Sequence, residues 1–155
     1  MMMSYFRTLF AGALGLGVNF LLLGLADRLG IVTARGGFQR LTKLWTGPAL
    51  HRFGVDRAWT ALHLPDPGGA LFMHGFKIAV GLAMALIYLW IKPLLPGSAL
   101  EKGLLYALLV WLVNAAIVLP ALGQGFAGAD TLSAVGILAF AIAHTAFFLV
   151  LAALI

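Results

Sequence analysis

The chain has 155 residues, of which 63% are hydrophobic and 10% are charged, with a mean hydropathy of +1.04. Soluble domains are about 45–50% apolar and about 25% charged, so too little polar surface exists here to cover the apolar residues in water. The absence of cysteine excludes disulfides, thiolate metal sites and cysteine nucleophiles. No nucleic-acid motif accompanies the net charge of +5, so nucleic acid is not an expected partner.

The first predicted membrane-spanning segment covers residues 6–26. Its length matches the roughly 20 residues that cross the hydrocarbon core, and Arg7 and Asn19 are its strongly polar members. A secretory signal peptide is the competing interpretation. However, the apolar stretch is longer than a typical h-region, and no A-x-A-like cleavage site follows it. We therefore expect a transmembrane helix.

Residues 27–69 form a basic segment of different composition. Phe38, Leu41 and Trp45 recur at helical spacing, and Pro48 suits the first turn of a second short helix. A basic amphipathic segment with aromatic residues on its apolar side lies at a membrane surface rather than across it. The alternative is an extramembrane helical hairpin packed on a partner protein. The basic residues expected at the membrane surface are Arg28, Arg35, Arg40, Lys43, Arg52 and Arg57.

Three further spans are predicted, at residues 70–91, 104–122 and 132–154. The connection from Pro93 to Ser98 is short, so the second and third spans should be antiparallel neighbours. The sequence therefore predicts an all-α integral membrane protein. We expect four transmembrane helices in a bundle, with one or two short interfacial amphipathic helices between the first and second.

The first and third spans share a spacing that suggests an internal repeat. Asn19 follows Arg7 by twelve positions, as Asn114 follows Lys102. A parallel repeat of two spans would relate the halves by an axis along the membrane normal. Chance produces the same spacing, and both interpretations stay open. The orientation of the chain in the membrane also stays open. The 27–69 segment contains more basic residues, which favours the cytoplasmic side for it, but the short segments on the other side contain more basic residues per residue of length.

A group of short motifs resembles small uncharacterised four-helix inner-membrane proteins of bacteria. These are the run from Leu82 to Tyr88, Lys92-Pro93, Leu95-Pro96-Gly97-Ser98, Lys102-Gly103, Trp111 and Pro120. The resemblance covers roughly residues 74–120. It implies a helical protein of the bacterial-type cytoplasmic (inner) membrane, and it supplies no catalytic residues.

Polar side chains inside hydrocarbon are costly and are candidate functional residues. Snorkelling to the interface accounts equally for a lysine near a span end, and an interhelical hydrogen bond accounts for an asparagine. Two histidines on different spans match the axial ligands of a b-type haem. No acidic residue lies within a span, and no metal site or catalytic motif is indicated. The candidate intramembrane polar residues are Asn19, His74, Lys77, Asn114 and His144.

Three functional hypotheses follow from the sequence. The leading one is a non-catalytic accessory or scaffold subunit, or a homo-oligomer, without a cofactor. Its partners would be the lipid bilayer and other transmembrane helices. Small residues let helices approach closely, and the expected packing positions are Gly12, Gly15 and Gly81. The second is a small permeation or transport protein that uses the intramembrane polar residues. The third is a haem-binding electron-transfer subunit.

Overall fold

The computed structural model describes residues 2–34, 37–66 and 69–155, is 81% helical and contains no strand in those ranges. Within those ranges six α-helices follow in chain order: α1 (Met2–Arg28), α2 (Gly37–Arg52), α3 (Val55–Ala61), α4 (Ala70–Ile91), α5 (Ala99–Ala121) and α6 (Ala134–Leu154). Helices α1, α4, α5 and α6 are long and apolar enough to cross a membrane. The expected all-α class with four helices of membrane-crossing length is confirmed.

Helix α5 begins five residues before the third predicted span, at Ala99 rather than near residue 104. A reciprocal capping box starts it: the Ser98 hydroxyl accepts from the Glu101 backbone N–H (3.4 Å), and the Ser98 N–H donates to Glu101 Oε2 (2.6 Å). Lys102 Nζ also donates to the carbonyl of Lys92 (3.2 Å). These bonds allow the charged residues Glu101 and Lys102 to lie in the first turn of α5. Hydropathy alone had placed this turn in the connection between the second and third spans.

Helix α2 continues through Pro48, so the expectation that Pro48 begins a second helix is wrong. Proline removes one backbone donor, but the chain turns later, at Gly54, whose φ of 68° lies in the left-handed region. Glycine adopts that conformation without a steric penalty. The described part of the segment between α1 and α4 therefore contains two α-helices, with the break at Gly54.

The long helices pack in antiparallel pairs. Helix α6 contacts α1 and α5, and α4 packs on α1. Facing residues fix the registers, with Gly12 opposite Ala85 between α1 and α4 and Gly15 opposite Phe147 between α1 and α6. The expected parallel repeat would relate α1 to α5 and α4 to α6, so the contact between α4 and α5 should be as extensive as the contact between α1 and α6. The contact between α1 and α6 is far more extensive. The two halves are therefore packed differently.

Basic side chains bind the backbone where α6 ends. Arg7 Nε donates to the Leu154 carbonyl and Lys92 Nζ donates to the Ile155 backbone oxygen, each at 2.7 Å. The last carbonyls of a helix have no intrahelical partner, and cations there also complement the helix dipole. These bonds tie α1 and the end of α4 to α6. We call the opposite end of the molecule, where α4 and α6 begin, the cap end.

Candidate functional site

A cavity of about 600 Å³ lies among the four long helices, where α4 faces α5. Near their connection these two helices meet: Tyr106 Oη donates to the Met84 carbonyl (3.2 Å), and the Tyr88 and Tyr106 ring centroids lie 5.2 Å apart. Toward the cap end, the facing sides of α4 and α5 line the cavity instead. Helices α1 and α6 supply the other walls.

Five polar residues that the sequence distributed over four spans line this one cavity. Asn19 comes from α1, His74 and Lys77 from α4, Asn114 from α5 and His144 from α6. We refer to these five residues as the polar set. Antiparallel packing brings them together, because four of them lie in the half of their helix nearer the cap end and His144 lies at the middle of α6.

Asn19 is the buried member of the polar set, with 8% of its surface exposed. Its side-chain amide makes no hydrogen bond within residues 2–34, 37–66 and 69–155. An amide has two N–H donors and an acceptor oxygen, and the amide atoms of Asn19 are not among the fully enclosed unpaired polar atoms, so they are open to the cavity. An unpartnered amide on a cavity wall therefore marks a place for a polar group of a ligand or a water molecule.

The two histidines and Asn114 each bond to their own helix, and each has one further polar side-chain atom. Nδ1 of His74 lies 2.7 Å from the Ala70 carbonyl, and Nδ1 of His144 lies 3.0 Å from the Phe140 carbonyl. Because a carbonyl only accepts, Nδ1 carries the proton in both rings, and Nε2 is the remaining nitrogen. Asn114 Nδ2 donates to its own helix similarly, at 3.0 Å, leaving its Oδ1 as an acceptor.

A π-helical turn at Asn114–Val118 interrupts α5 beside the cavity. Pro120 accounts for its position: proline has no N–H, and its ring crowds the carbonyl four residues earlier. The Leu119 N–H bonds to the Asn114 carbonyl, five residues back. Turns of this kind occur frequently at functional sites. Here the turn sets the direction in which Asn114 leaves the helix.

The polar and apolar parts of the cavity lie at different depths. Counted from the cap end, the polar set lies between four residues (His74 in α4) and ten residues (His144 in α6) into its helices. At 1.5 Å per residue these depths are about 6–15 Å. Lining residues farther from the cap end, such as Leu16, Ile87 and Ile91, are apolar. The cavity is therefore amphipathic along its length.

The first turn of α2 covers the polar end of the cavity. Gly37 packs on α5, where an added Cβ would lie 3.6 Å from Val118 Cγ1, and the Phe38 ring stacks on Phe76 of α4 at 6.2 Å between centroids. Helix α2 thus bridges the two helices that the cavity separates. Gln39 of this turn also lines the cavity. Sequence reasoning missed Gln39 because it lies outside the apolar spans and carries no local signal.

The three glycines expected at helix contacts all lie at contacts within this chain. A Cβ on Gly12 would lie 2.8 Å from Ala85 Cβ, and a Cβ on Gly15 would lie 2.8 Å from Phe147 Cδ2. Gly81 lies directly against the side chain of Leu16. Small residues at these positions permit the close approach of α1 to α4 and α6.

The basic residues between α1 and α4 are exposed at the cap end. Large apolar side chains are exposed beside them on α2 and near it, including Trp45 (62%) and Phe53 (79%). A hydrogen bond from His51 Nδ1 to Asp56 Oδ2 (2.8 Å) lowers the pKa of Asp56 and joins α2 to α3. Arg35 lies outside the described residues; the exposed basic residues are Arg28, Arg40, Lys43, Arg52 and Arg57.

The two histidines expected as haem ligands lie at different depths in their helices. Helix α6 begins at Ala134, so His144 lies ten residues into it, whereas His74 lies four residues into α4. The difference is about 9 Å along parallel helix axes, although axial ligands must face each other across one iron. No three His, Asp or Glu side chains in the described ranges are grouped to share a metal ion.

Comparison with protein-family models, curated proteins and solved structures found no match. The fold and cavity define a class: an all-helical, multi-pass protein with an amphipathic cavity among four membrane-length helices.

Proposed function

We propose that the protein is a small transport protein that binds its substrate in the cavity between α4 and α5. In this proposal the four long helices cross a bacterial-type inner membrane as a bundle, and α2 and α3 lie at its surface. The observation that carries the proposal is the convergence of the polar set, from four helices, on one cavity. Intramembrane polar residues are costly and commonly line a substrate pathway.

Two further observations support a ligand site rather than structural glue. Asn19 faces the cavity without a hydrogen-bond partner among the described residues, whereas an asparagine that joins helices would bond across them. Discontinuous helices form many transporter sites, and α5 has a π-helical turn at Asn114.

The accessory or scaffold role expected from the sequence has less support. That hypothesis rested on the glycine faces of α1 and α4 and on the 27–69 surface segment, which were expected to bind other membrane helices. Gly12, Gly15 and Gly81 contact helices of the same chain, so these three positions are occupied within the chain.

Cysteine accessibility tests the proposal, because the natural chain contains no cysteine. Val110 lines the cavity, whereas Leu112 is 42% exposed on α5 outside the cavity lining and would face lipid. Val110→Cys and Leu112→Cys are reconstituted separately in liposomes and treated with a membrane-impermeant methanethiosulfonate. We expect Val110→Cys to react and Leu112→Cys to resist, because a thiolate is disfavoured in apolar surroundings.

The side of reagent addition separates transport from a dead-end pocket. A transporter opens its site to each membrane face in turn, so Val110→Cys should react from the outside and from the inside. Reaction from one face alone would contradict transport. Reaction no faster than that of Leu112→Cys would remove the hydrated cavity and the proposal with it.

A further inference from the structure

The cavity is closed at both ends and on three of its sides. Helix α1 packs on α4 and on α6, and α6 packs on α5. The contact of Tyr106 with Met84 and Tyr88 joins α4 to α5 at the end of the cavity away from the cap end. The first turn of α2 covers the cap end. The side between α4 and α5 is therefore where the cavity can open.

Half-exposed apolar side chains lie at this opening. Leu109 and Val113 share one face of α5; both line the cavity and each is 50% exposed. Val110 and Asn114, on the adjacent face, line the cavity and are less exposed, as is Val80 on α4. Leu109 and Val113 lie within three residues of the middle of α5. If α5 crosses the membrane, apolar side chains exposed at this depth face hydrocarbon, so the opening leads into the bilayer.

A buried polar group lies at the same depth as this apolar opening. Asn19 is 8% exposed, lines the cavity and has no hydrogen-bond partner among the described residues. It lies nine residues from the cap end of α1, or about 14 Å. Val113 lies eight residues from the cap end of α5, or about 12 Å. A ligand that fits both features has a hydrogen-bonding head group and an apolar body.

On the basis of the proposed function, we propose that the transported substrate is a membrane lipid that enters sideways between α4 and α5. Its head group lies in the cavity beside Asn19 and Asn114, and its hydrocarbon chains stay in the bilayer outside Leu109 and Val113. The cavity then holds the head group alone. Its volume of about 600 Å³ falls within the range of about 300–1,000 Å³ that is usual for a small ligand.

Paramagnetic lipids in nanodiscs test this inference on the unmodified protein. Val110 lies at the middle of α5, eleven residues or about 16 Å from either end, so it is the position of α5 farthest from both membrane surfaces. Leu112 is 42% exposed outside the cavity lining and lies two residues nearer the cap end. A nitroxide confined to the membrane surface should therefore broaden the methyl NMR signals of Leu112 more than those of Val110.

Phosphatidylcholine and phosphatidylethanolamine, each with a nitroxide on its head group, are added to separate samples. We expect at least one of them to broaden the signals of Val110 more than those of Leu112, because its head group enters the cavity. A lipid with a nitroxide in the middle of an acyl chain is the control, and it should broaden Leu112 more. Stronger broadening of Leu112 by both head-labelled lipids would overturn the inference.

Two further substitutions locate the head group and the opening. Asn19→Leu removes the unpartnered amide with little change in volume, so about fivefold more head-labelled lipid should be needed for the same broadening of Val110, the effect of one hydrogen bond. Val113→Trp, at the opening, should abolish that broadening. Leu112→Trp, on the same helix but outside the cavity lining, should retain it. Equal broadening of Val110 in the two tryptophan variants would overturn the lateral opening.

Failure of this inference is distinguishable from failure of the proposed function. If Val110→Cys reacts with the methanethiosulfonate from both membrane faces but no head-labelled lipid reaches Val110, the cavity takes its substrate from water. The inference then fails and the proposed function stands. If Val110→Cys reacts no faster than Leu112→Cys and no head-labelled lipid reaches Val110, both proposals fail.

Discussion

Replacing Gly15 with alanine should separate α1 from α6. A Cβ at this position would lie 2.8 Å from both Cδ2 and the backbone oxygen of Phe147. The oxygen belongs to the backbone of α6 and cannot rotate away, so the helices must move apart. Overpacking of this kind costs about 1–3 kcal/mol, and alanine recovers about 1 kcal/mol in helix propensity. We expect the free energy of unfolding to fall by up to about 2 kcal/mol.

Gly17 provides a matched control on the same helix. Nothing lies within 4 Å of a Cβ placed there, so Gly17→Ala should raise the free energy of unfolding by up to about 1 kcal/mol. Unfolding by sodium dodecyl sulfate in mixed micelles, followed by circular dichroism, measures both variants. Shifts of the same sign and size would refute the argument that Gly15 sets the distance between α1 and α6.

Two further predictions concern α2 and α3. Phe38→Ala should speed amide hydrogen exchange in α2, because the Phe38 ring stacks on Phe76 and such aromatic pairs contribute about 0.5–1.5 kcal/mol. Phe53→Ala, at a 79% exposed position, is the control. Equal exchange rates in the two variants would contradict the prediction. The hydrogen bond from His51 lowers the pKa of Asp56, so its contribution to stability is present above the ordinary aspartate pKa and is lost as pH falls through the lowered value. An NMR titration should give a midpoint below about 3.9, and His51→Ala should raise it; an unchanged midpoint would be contrary evidence.

The differences between sequence and structure arise where hydrogen bonds compete with hydropathy. Hydropathy placed the start of the third span near residue 104, but the Ser98–Glu101 capping box begins α5 at Ala99. The helical pattern around Pro48 suggested a break, whereas the chain turns at Gly54. In both places a local backbone requirement decided the helix end, and composition averaged over many residues does not detect it.

The sequence by itself determined that four helices are long and apolar enough to cross a membrane, because this property depends only on the length and hydropathy of each segment. It also supplied all five residues of the polar set, since a polar residue within an apolar segment is visible without a fold. Only the tertiary structure decided that these residues line one cavity, that Gln39 joins them and that the glycine contacts lie within the chain. These facts depend on helix register and rotation, which residues distant in sequence fix through packing.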